Sequence, residues 1–183
     1  MAANQPLWPR AWLMTDERMG DQLWQAIDRL PEGGGIVFRH YSLAAEERLA
    51  LGRKIAGLAG AKRQIMAVGR STVLAQTLDA RLVHNPATAS ALPFSLSVHD
   101  EQEARAARRR GAALVFVSPV FPTRSHLDAP ALGIREACRL ADLAGCPAIA
   151  LGGMDADRFQ SIDAIFHGFG GIDCWRAGGP SRQ

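Results

Sequence analysis

Eight times along this chain a short apolar or β-branched run gives way to a longer segment of helical character, and that alternation leaves few folds open. The runs are AWLMT (11–15), GIVFR (35–39), QIMAV (64–68), ARLVH (80–84), FSLSV (94–98), LVFVS (114–118), PAIAL (147–151) and a last one near GIDCW (171–175). Helical spacing puts Leu23, Ala26, Ile27 and Leu30 on one face of 18–30, and predicts further helices over 43–59, 71–78, 100–110, 134–144 and 155–166. Ser42 is the expected N-cap of the second helix, with Glu46 and Glu47 in its first turn. Such repetition builds a parallel sheet covered by helices, and eight units close it into an α/β fold, the (β/α)8 TIM barrel. This barrel is short, because 183 residues fall below the usual range of about 200 or more. Only RAGGPSRQ follows the last run, so the final helix is truncated or missing, or a second subunit covers that surface in a homo-oligomer. A doubly wound open sheet competes, but no GxGxxG follows the first strand.

The chain reads as one domain spanning 1–183. Hydrophobic residues make up 48% and charged residues 21%, the balance of a soluble globule. No run of about 18 apolar residues suggests a membrane span, and MAANQPLWPRAW lacks the form of a secretion leader. Cys138, Cys146 and Cys174 are odd in number and lack CxxC spacing, which suits a reducing cytoplasm. Net charge is a mild +3, and the dense run Arg108–Arg109–Arg110 closes a helix, where cations are favoured. It reads as a solvated face, and no nucleic-acid partner is expected.

In a parallel barrel, chemistry gathers at the C-terminal ends of the strands. Here those ends carry Thr15–Asp16, Arg39–His40–Tyr41, His84–Asn85, Ser97–Val98–His99, Ser118, Thr123–Arg124–Ser125–His126, Gly152–Gly153 and Asp173 to Arg176. The opposite loops, such as GLAGAKR and RRRGAA, hold small residues and surface cations. Strand side chains repeat every two residues, so Ser95, Ser97 and His99 share one face and Phe94, Leu96 and Val98 the other. Ser97 and His99 then point to the mouth, as ligands or as satisfied interior residues. Gly152–Gly153 lets backbone N–H groups approach an anion ahead of the next helix, although any tight turn can carry such a pair. Arg176 is either a charge-assisted contact to that anion or an exposed terminal residue. His40, His84, His99 and His126 share the rim and raise the question of a metal centre, against separate hydrogen-bonded imidazoles.

Taken together, AWLMTD, FRH, SVHDEQEARAARRRGAALVFVSPVFPTRSHLDAPALG and PAIALGGM resemble the thiamine phosphate synthase and thiazole tautomerase family, most closely over residues 95–154. The resemblance implies a (β/α)8 barrel and a reaction joining hydroxymethylpyrimidine pyrophosphate to thiazole phosphate, with release of pyrophosphate and assistance from Mg²⁺. It implies roles for Arg39 after strand two, Ser97 of the S-x-H element, and Thr123 and Ser125 near pyrophosphate. It also implies that Gly152 and Gly153 receive the thiazole phosphate; in a tautomerase-like or repurposed enzyme, His99 or His126 is the general acid/base. Several family positions differ. His126 stands where the synthases have lysine, Val37 and Tyr41 flank Arg39 in place of glutamine and lysine, and the Mg²⁺-side Asn–Asp pair falls at Val68–Gly69. Asn85 is nearest to the position of the other metal-side aspartate, and Arg124, Arg70 and Arg176 are candidate compensating cations. A tautomerase-like or otherwise repurposed enzyme and a non-catalytic phosphate-ligand-binding or regulatory barrel are the alternatives. The tautomerase acid–base histidine falls at Pro119.

Overall fold

A computed structural model describes residues 8–123 and 130–176. Eight parallel strands close on themselves in sequence order: β1 (Ala11–Met14), β2 (Gly35–Phe38), β3 (Ile65–Gly69), β4 (Leu82–His84), β5 (Phe94–Val98), β6 (Leu114–Val117), β7 (Ala148–Ala150) and β8 (Gly168–Gly171). Closure is made by β1 against β8, with Trp12 opposite Gly170 and Leu13 opposite Gly171. The expected barrel is therefore formed. Among the described residues six α-helices cover it: α1 (Gln22–Arg29), α2 (Ala45–Ala61), α3 (Thr72–Thr77), α4 (Glu101–Arg110), α5 (Gly133–Ala144) and α6 (Ala156–Gln160). None of the described helices is long and apolar enough to cross a membrane.

The period of two along each strand divides the core into an inside and an outside. Trp12, Met14, Val37, Ala67, Leu82, Leu114, Phe116 and Ile149 fill the barrel. Their strand neighbours face outward in two further clusters. Leu13, Ile36, Phe38, Met66, Val68 and Val83 meet α1 to α3, whereas Leu96, Val98, Val115, Val117, Ala148 and Ala150 meet α4 and α5. Trp12 is the bulkiest interior side chain, packed edge-on to Phe116 with ring centroids 5.3 Å apart. It fits because its neighbours are glycines: a Cβ on Gly35 would lie 2.5 Å from Trp12 Cδ2, and one on Gly170 would lie 2.5 Å from Trp12 O.

Local signals explain most helix ends. Asp100 caps α4 by accepting from Glu103 N–H at 2.8 Å, and the helix stops at Gly111, left-handed at φ 70°. Three boundaries differ from expectation. Ser42 does not cap α2; the cap position is Ala44, and the Ser42 hydroxyl donates to Glu17 instead. The α6 helix ends at Gln160, well short of 166, and a turn carries Ile162 and Phe166 into the outer core. The eighth strand is GFGG at 168–171, not GIDCW; Asp173–Trp175 forms a 3₁₀ turn. A Cβ on Gly168 would lie 2.6 Å from the Arg10 carbonyl carbon, so the β1–β8 approach excludes the β-branched residues that advertise a strand.

No α-helix follows β8 among the described residues. An aromatic stack lies beside β8 in its place, with Phe169 between Phe159 and Trp175 at centroid distances of 5.1 and 5.8 Å. Trp175 Nε1 donates to Trp12 O at 2.9 Å, which ties the 3₁₀ turn to the barrel wall.

Candidate functional site

Charge collects above β1, β2 and β3. Thr15, fully buried, follows β1; its Oγ1 accepts from Arg39 N–H at 3.0 Å and lies 3.1 Å from His40 Nδ1. Arg39 leaves the end of β2, with Nε donating to Thr15 O at 2.7 Å and Nη2 to Asp16 Oδ2 at 3.3 Å. Arg18 grips the same carboxylate from Nε and Nη2 at 2.8 and 2.9 Å. Those bonds hold the Asp16 carboxyl down at about 2, against the opposing effect of burial. Burial pulls the His40 imidazole below its ordinary value, so it is neutral near pH 7.

Arg48, in the first turns of α2, reaches back to this rim. Its Nη2 donates to Arg39 O at 3.0 Å and Gly69 O at 2.8 Å. Its guanidinium carbon stands 5.4 Å from the ring centroids of both Phe38 and Tyr41. Arg70 stacks closer on the Tyr41 ring, at 4.3 Å. Left-handed backbone at His40, Arg70 and Asn85, with φ of 28°, 67° and 47°, turns the chain sharply after three successive strands. The Tyr41 ring lies across Gly69. A Cβ there would sit 2.7 Å from Tyr41 Cε1 and closer still to its hydroxyl.

The rim above β4 and β5 is polar without charge. His84 is buried inside the barrel, edge-on to Phe116 at 5.1 Å, with Nδ1 3.1 Å from Ser95 Oγ. Burial, with the nearby Arg39 charge adding to it, pushes this imidazole down to about 3. Asn85 then clasps Ser97 in two directions: its Nδ2 donates to Ser97 Oγ at 3.0 Å, and its Oδ1 accepts from Ser97 N–H at 2.8 Å. Ser97 Oγ is also 3.5 Å from His84 Nε2. His99 stands apart, exposed, with Nδ1 2.8 Å from Glu103 Oε2 at the start of α4. No hydrogen bond joins it to Ser97, Asn85 or His84 among the described residues.

The third sector joins the loops after β6 and β7. Val120 N–H donates to Leu151 O at 2.8 Å and Phe121 N–H to Gly152 O at 3.1 Å. Gly152 and Gly153 are left-handed, at φ 87° and 60°, and a Cβ on Gly152 would lie 2.7 Å from Pro119 Cα. The loop contact therefore demands glycine, whatever the pair binds. Neither Gly152 N–H nor Gly153 N–H meets an acceptor among the described residues. Arg176 is not frayed: its Nε donates to Gln22 Oε1 and its Nη1 to Asp173 Oδ1 at 3.2 Å. Thr123 is half-buried at the end of the described loop. Ser125 and His126 lie outside the described residues.

Arg39, Ser97 and the glycine pair all stand at the C-terminal ends of strands, on one rim, whereas exposed His99 is paired with Glu103 of α4. Three participants escaped sequence reading: Thr15 as a buried hub, Arg48 arriving from a helix, and the Tyr41–Gly69 fit. Asn85 was legible as a strand-end polar residue, but its grip on Ser97 was not. Among the described residues His40, His84 and His99 have separate partners, and no group of three or more His, Cys, Asp or Glu able to hold a metal exists. The Mg²⁺ implied by the resemblance does not fit the donors above β1–β5. Gly69 has no side chain, Tyr41 fills the space above it, and Asp16 is already engaged by two arginines.

Comparison with known proteins agrees with this architecture. A family profile described as thiamine monophosphate synthase matches residues 11–172. The chain is 31% identical over 161 residues to the thiamine-phosphate synthase of Geobacillus thermodenitrificans, covering 78% of this chain and 70% of that one. Against the thiamine-phosphate synthase of Clostridium botulinum it is 25% identical over 167 residues, covering 82% of each. The solved thiamine phosphate pyrophosphorylase of Pyrococcus furiosus superposes with a TM-score of 0.80 at 22% identity, covering 94% of this chain and 90% of that one.

Proposed function

The chain belongs to the thiamine monophosphate synthase family, and on that premise we propose that it binds a phosphorylated thiazole and a pyrimidine pyrophosphate at the rim and joins them into thiamine phosphate. The observation that carries the reading is the family match across 162 of 183 residues (11 through 172), which includes all eight strands. In the reaction the thiazole nitrogen lone pair forms a C–N bond to the pyrimidine methylene. The methylene C–O bond breaks, and its electrons leave with pyrophosphate.

Positioning and stabilisation of the leaving charge are the protein's tasks in such a step. Arg39, with its guanidinium pinned on Thr15 and Asp16, faces that charge with little freedom left to lose. Ser97, oriented by Asn85, offers a hydroxyl at the mouth. Gly152 and Gly153 N–H groups, without protein acceptors among the described residues, are suited to the thiazole phosphate. Thr123, Ser125 and His126 complete the pyrophosphate side in this reading, and Arg176 borders the thiazole side. His99, paired with Glu103, is the weakest of the acid–base candidates. No step is drawn through Mg²⁺, because the described donors do not fit it. The reading takes the cytoplasm as compartment. Three free cysteines support that, with burial pushing the Cys146 and Cys174 thiols up to about 11 and about 12.

Calorimetry with thiazole phosphate and with pyrimidine pyrophosphate, followed by product analysis, tests the proposal. Binding of both and formation of thiamine phosphate with pyrophosphate is the expected result. A second reading, a ligand-binding barrel without turnover, draws on the Tyr41 ring lying over Gly69, the position where the resemblance puts a metal-side aspartate. Binding without product selects it, and failure of both ligands to bind removes the shared premise.

A further inference from the structure

We propose that the rim above β2 and β3 is a metal-independent anion site, in which Arg39, Arg48 and Arg70, set around Tyr41, take the charge of a phosphate or pyrophosphate group directly. The proposal rests on the reading above for the identity of the ligand, but not for its argument.

Space is the first ground. Tyr41 and Gly69 are a matched pair, because any side chain on Gly69 would run into the ring at 2.7 Å from Cε1 and 2.9 Å from Cζ. A carboxylate cannot stand at Gly69 while Tyr41 stands where it does. Charge is the second ground. Three guanidinium groups lie around one phenol ring or within electrostatic reach of it. The two nearest carboxylates are both engaged, Asp16 by Arg18 and Arg39, and Glu17 by the Ser42 N–H and hydroxyl. A divalent cation entering here meets net positive charge and no open acid. An anion meets the reverse.

Pre-organisation is the third ground. Arg39 and Arg48 are each held by backbone carbonyls, on Thr15 in one case and on Arg39 and Gly69 in the other. Arg48 Nε is buried with no partner among the described residues. The Arg70 backbone is anchored by its N–H to His84 O at 2.8 Å, while its guanidinium stacks on Tyr41 and donates to no described residue. Arginine forks match phosphate oxygens in pairs, so stacked arginines with spare donors can do by hydrogen bonding what a metal does by coordination.

The test is titration calorimetry of inorganic pyrophosphate, and separately inorganic phosphate, first in EDTA and then in excess Mg²⁺. Pyrophosphate is expected to bind in EDTA with a Kd within about threefold of its Mg²⁺ value. Phosphate should bind at least tenfold more weakly, since it carries less charge for three cations. Arg70→Ala, an exposed change that leaves the fold intact, should weaken pyrophosphate binding in EDTA about tenfold, the scale of one charge-assisted contact. The paired change Tyr41→Lys with Gly69→Asp should make binding depend on Mg²⁺. Pyrophosphate binding that requires Mg²⁺ in the unmodified protein overturns the proposal, as does no pyrophosphate binding in either buffer or an unchanged Kd in R70A. Thiazole phosphate titrated into the same samples separates the two readings. If it binds while pyrophosphate does not bind or needs Mg²⁺, only the metal-independent site falls; if neither binds, the functional assignment falls too.

Discussion

Above β1 to β3 the rim is built from charge: Asp16, Glu17, Arg18, Arg39, Arg48 and Arg70 all stand at or near solvent. Above β4 and β5 the equally polar residues carry none: His84 and Ser95 are buried in the barrel, with Asn85 and Ser97 half-buried above them. The difference follows from what each site can solvate. Where water reaches the rim, a guanidinium keeps its charge and shares carbonyls and carboxylates, as Arg39 and Arg48 do. Where water is excluded, burial pushes the His84 imidazole down to about 3, and the network survives because every partner is neutral. In the proposed reading the charged side takes the anion, and the neutral side holds one hydroxyl still.

Acid is the largest expected lever on this contrast. In the unfolded chain a histidine takes up its proton near 6.5, whereas in the fold His84 resists protonation down to about 3. Between those values the unfolded chain binds one more proton, so stability falls as pH falls, by about 1.4 kcal/mol per unit from this group. Asp16 adds to the loss below 3.8, its ordinary value, until its own carboxyl protonates at about 2. Urea midpoints measured from pH 7 to pH 4 should drop steadily in the parent protein and much less in a His84→Ala variant. A parallel decline in both would break the contrast.

The same variant should be costly at pH 7. Removing the ring leaves a void against Phe116 and strips Ser95 Oγ, fully buried, of its partner, at roughly 3 kcal/mol. Arg48→Met ranks next, at about 2 kcal/mol, because two carbonyls, on Arg39 and Gly69, lose a charged donor. Arg70→Ala should shift stability by less than about 0.5 kcal/mol, since the side chain is exposed. Urea unfolding of both variants sharpens the picture of one supporting arginine and one outward-facing arginine. Equal losses would blur it.

Much of this was readable in the chain. Runs such as GIVFR, LVFVS and PAIAL advertise strands because Val, Ile and Phe suit a doubly covered parallel sheet. Alternation placed Ser97 on the inner face and Leu96 and Val98 against the helices, where the structure has them. GFGG hid for the opposite reason. Its glycines answer the crowding by Arg10 and Trp12, a demand that exists only once β1 and β8 meet. Ser42 before a helix reads as a cap, yet Glu17, 25 residues away, offered its hydroxyl a charged acceptor. Tyr41 lies in the loop after β2 and Gly69 ends β3, and linear spacing carries no sign that one residue fills the other's volume. Ser125 and His126, expected on the loop after β6, fall outside the described residues.

Ser97→Ala is the mildest change on the neutral side and its sharpest test. The hydroxyl accepts from Asn85 Nδ2 at 3.0 Å, while the Ser97 N–H still reaches Asn85 Oδ1 at 2.8 Å. Loss of the oxygen therefore leaves Asn85 anchored at one end, and stability should fall by only about 1 kcal/mol. If Ser97 only supports the wall, pyrophosphate affinity and product formation should be unchanged, and Thr should replace it without penalty. If it touches the ligand, S97A should lower turnover by more than its stability cost explains, with S97T restoring part of it. Because the residue is neutral, the change should leave the dependence of pyrophosphate affinity on salt concentration untouched, whereas Arg39→Met should flatten it. A flattened dependence in S97A would mean that the two sides of the rim act on the ligand as one charged surface.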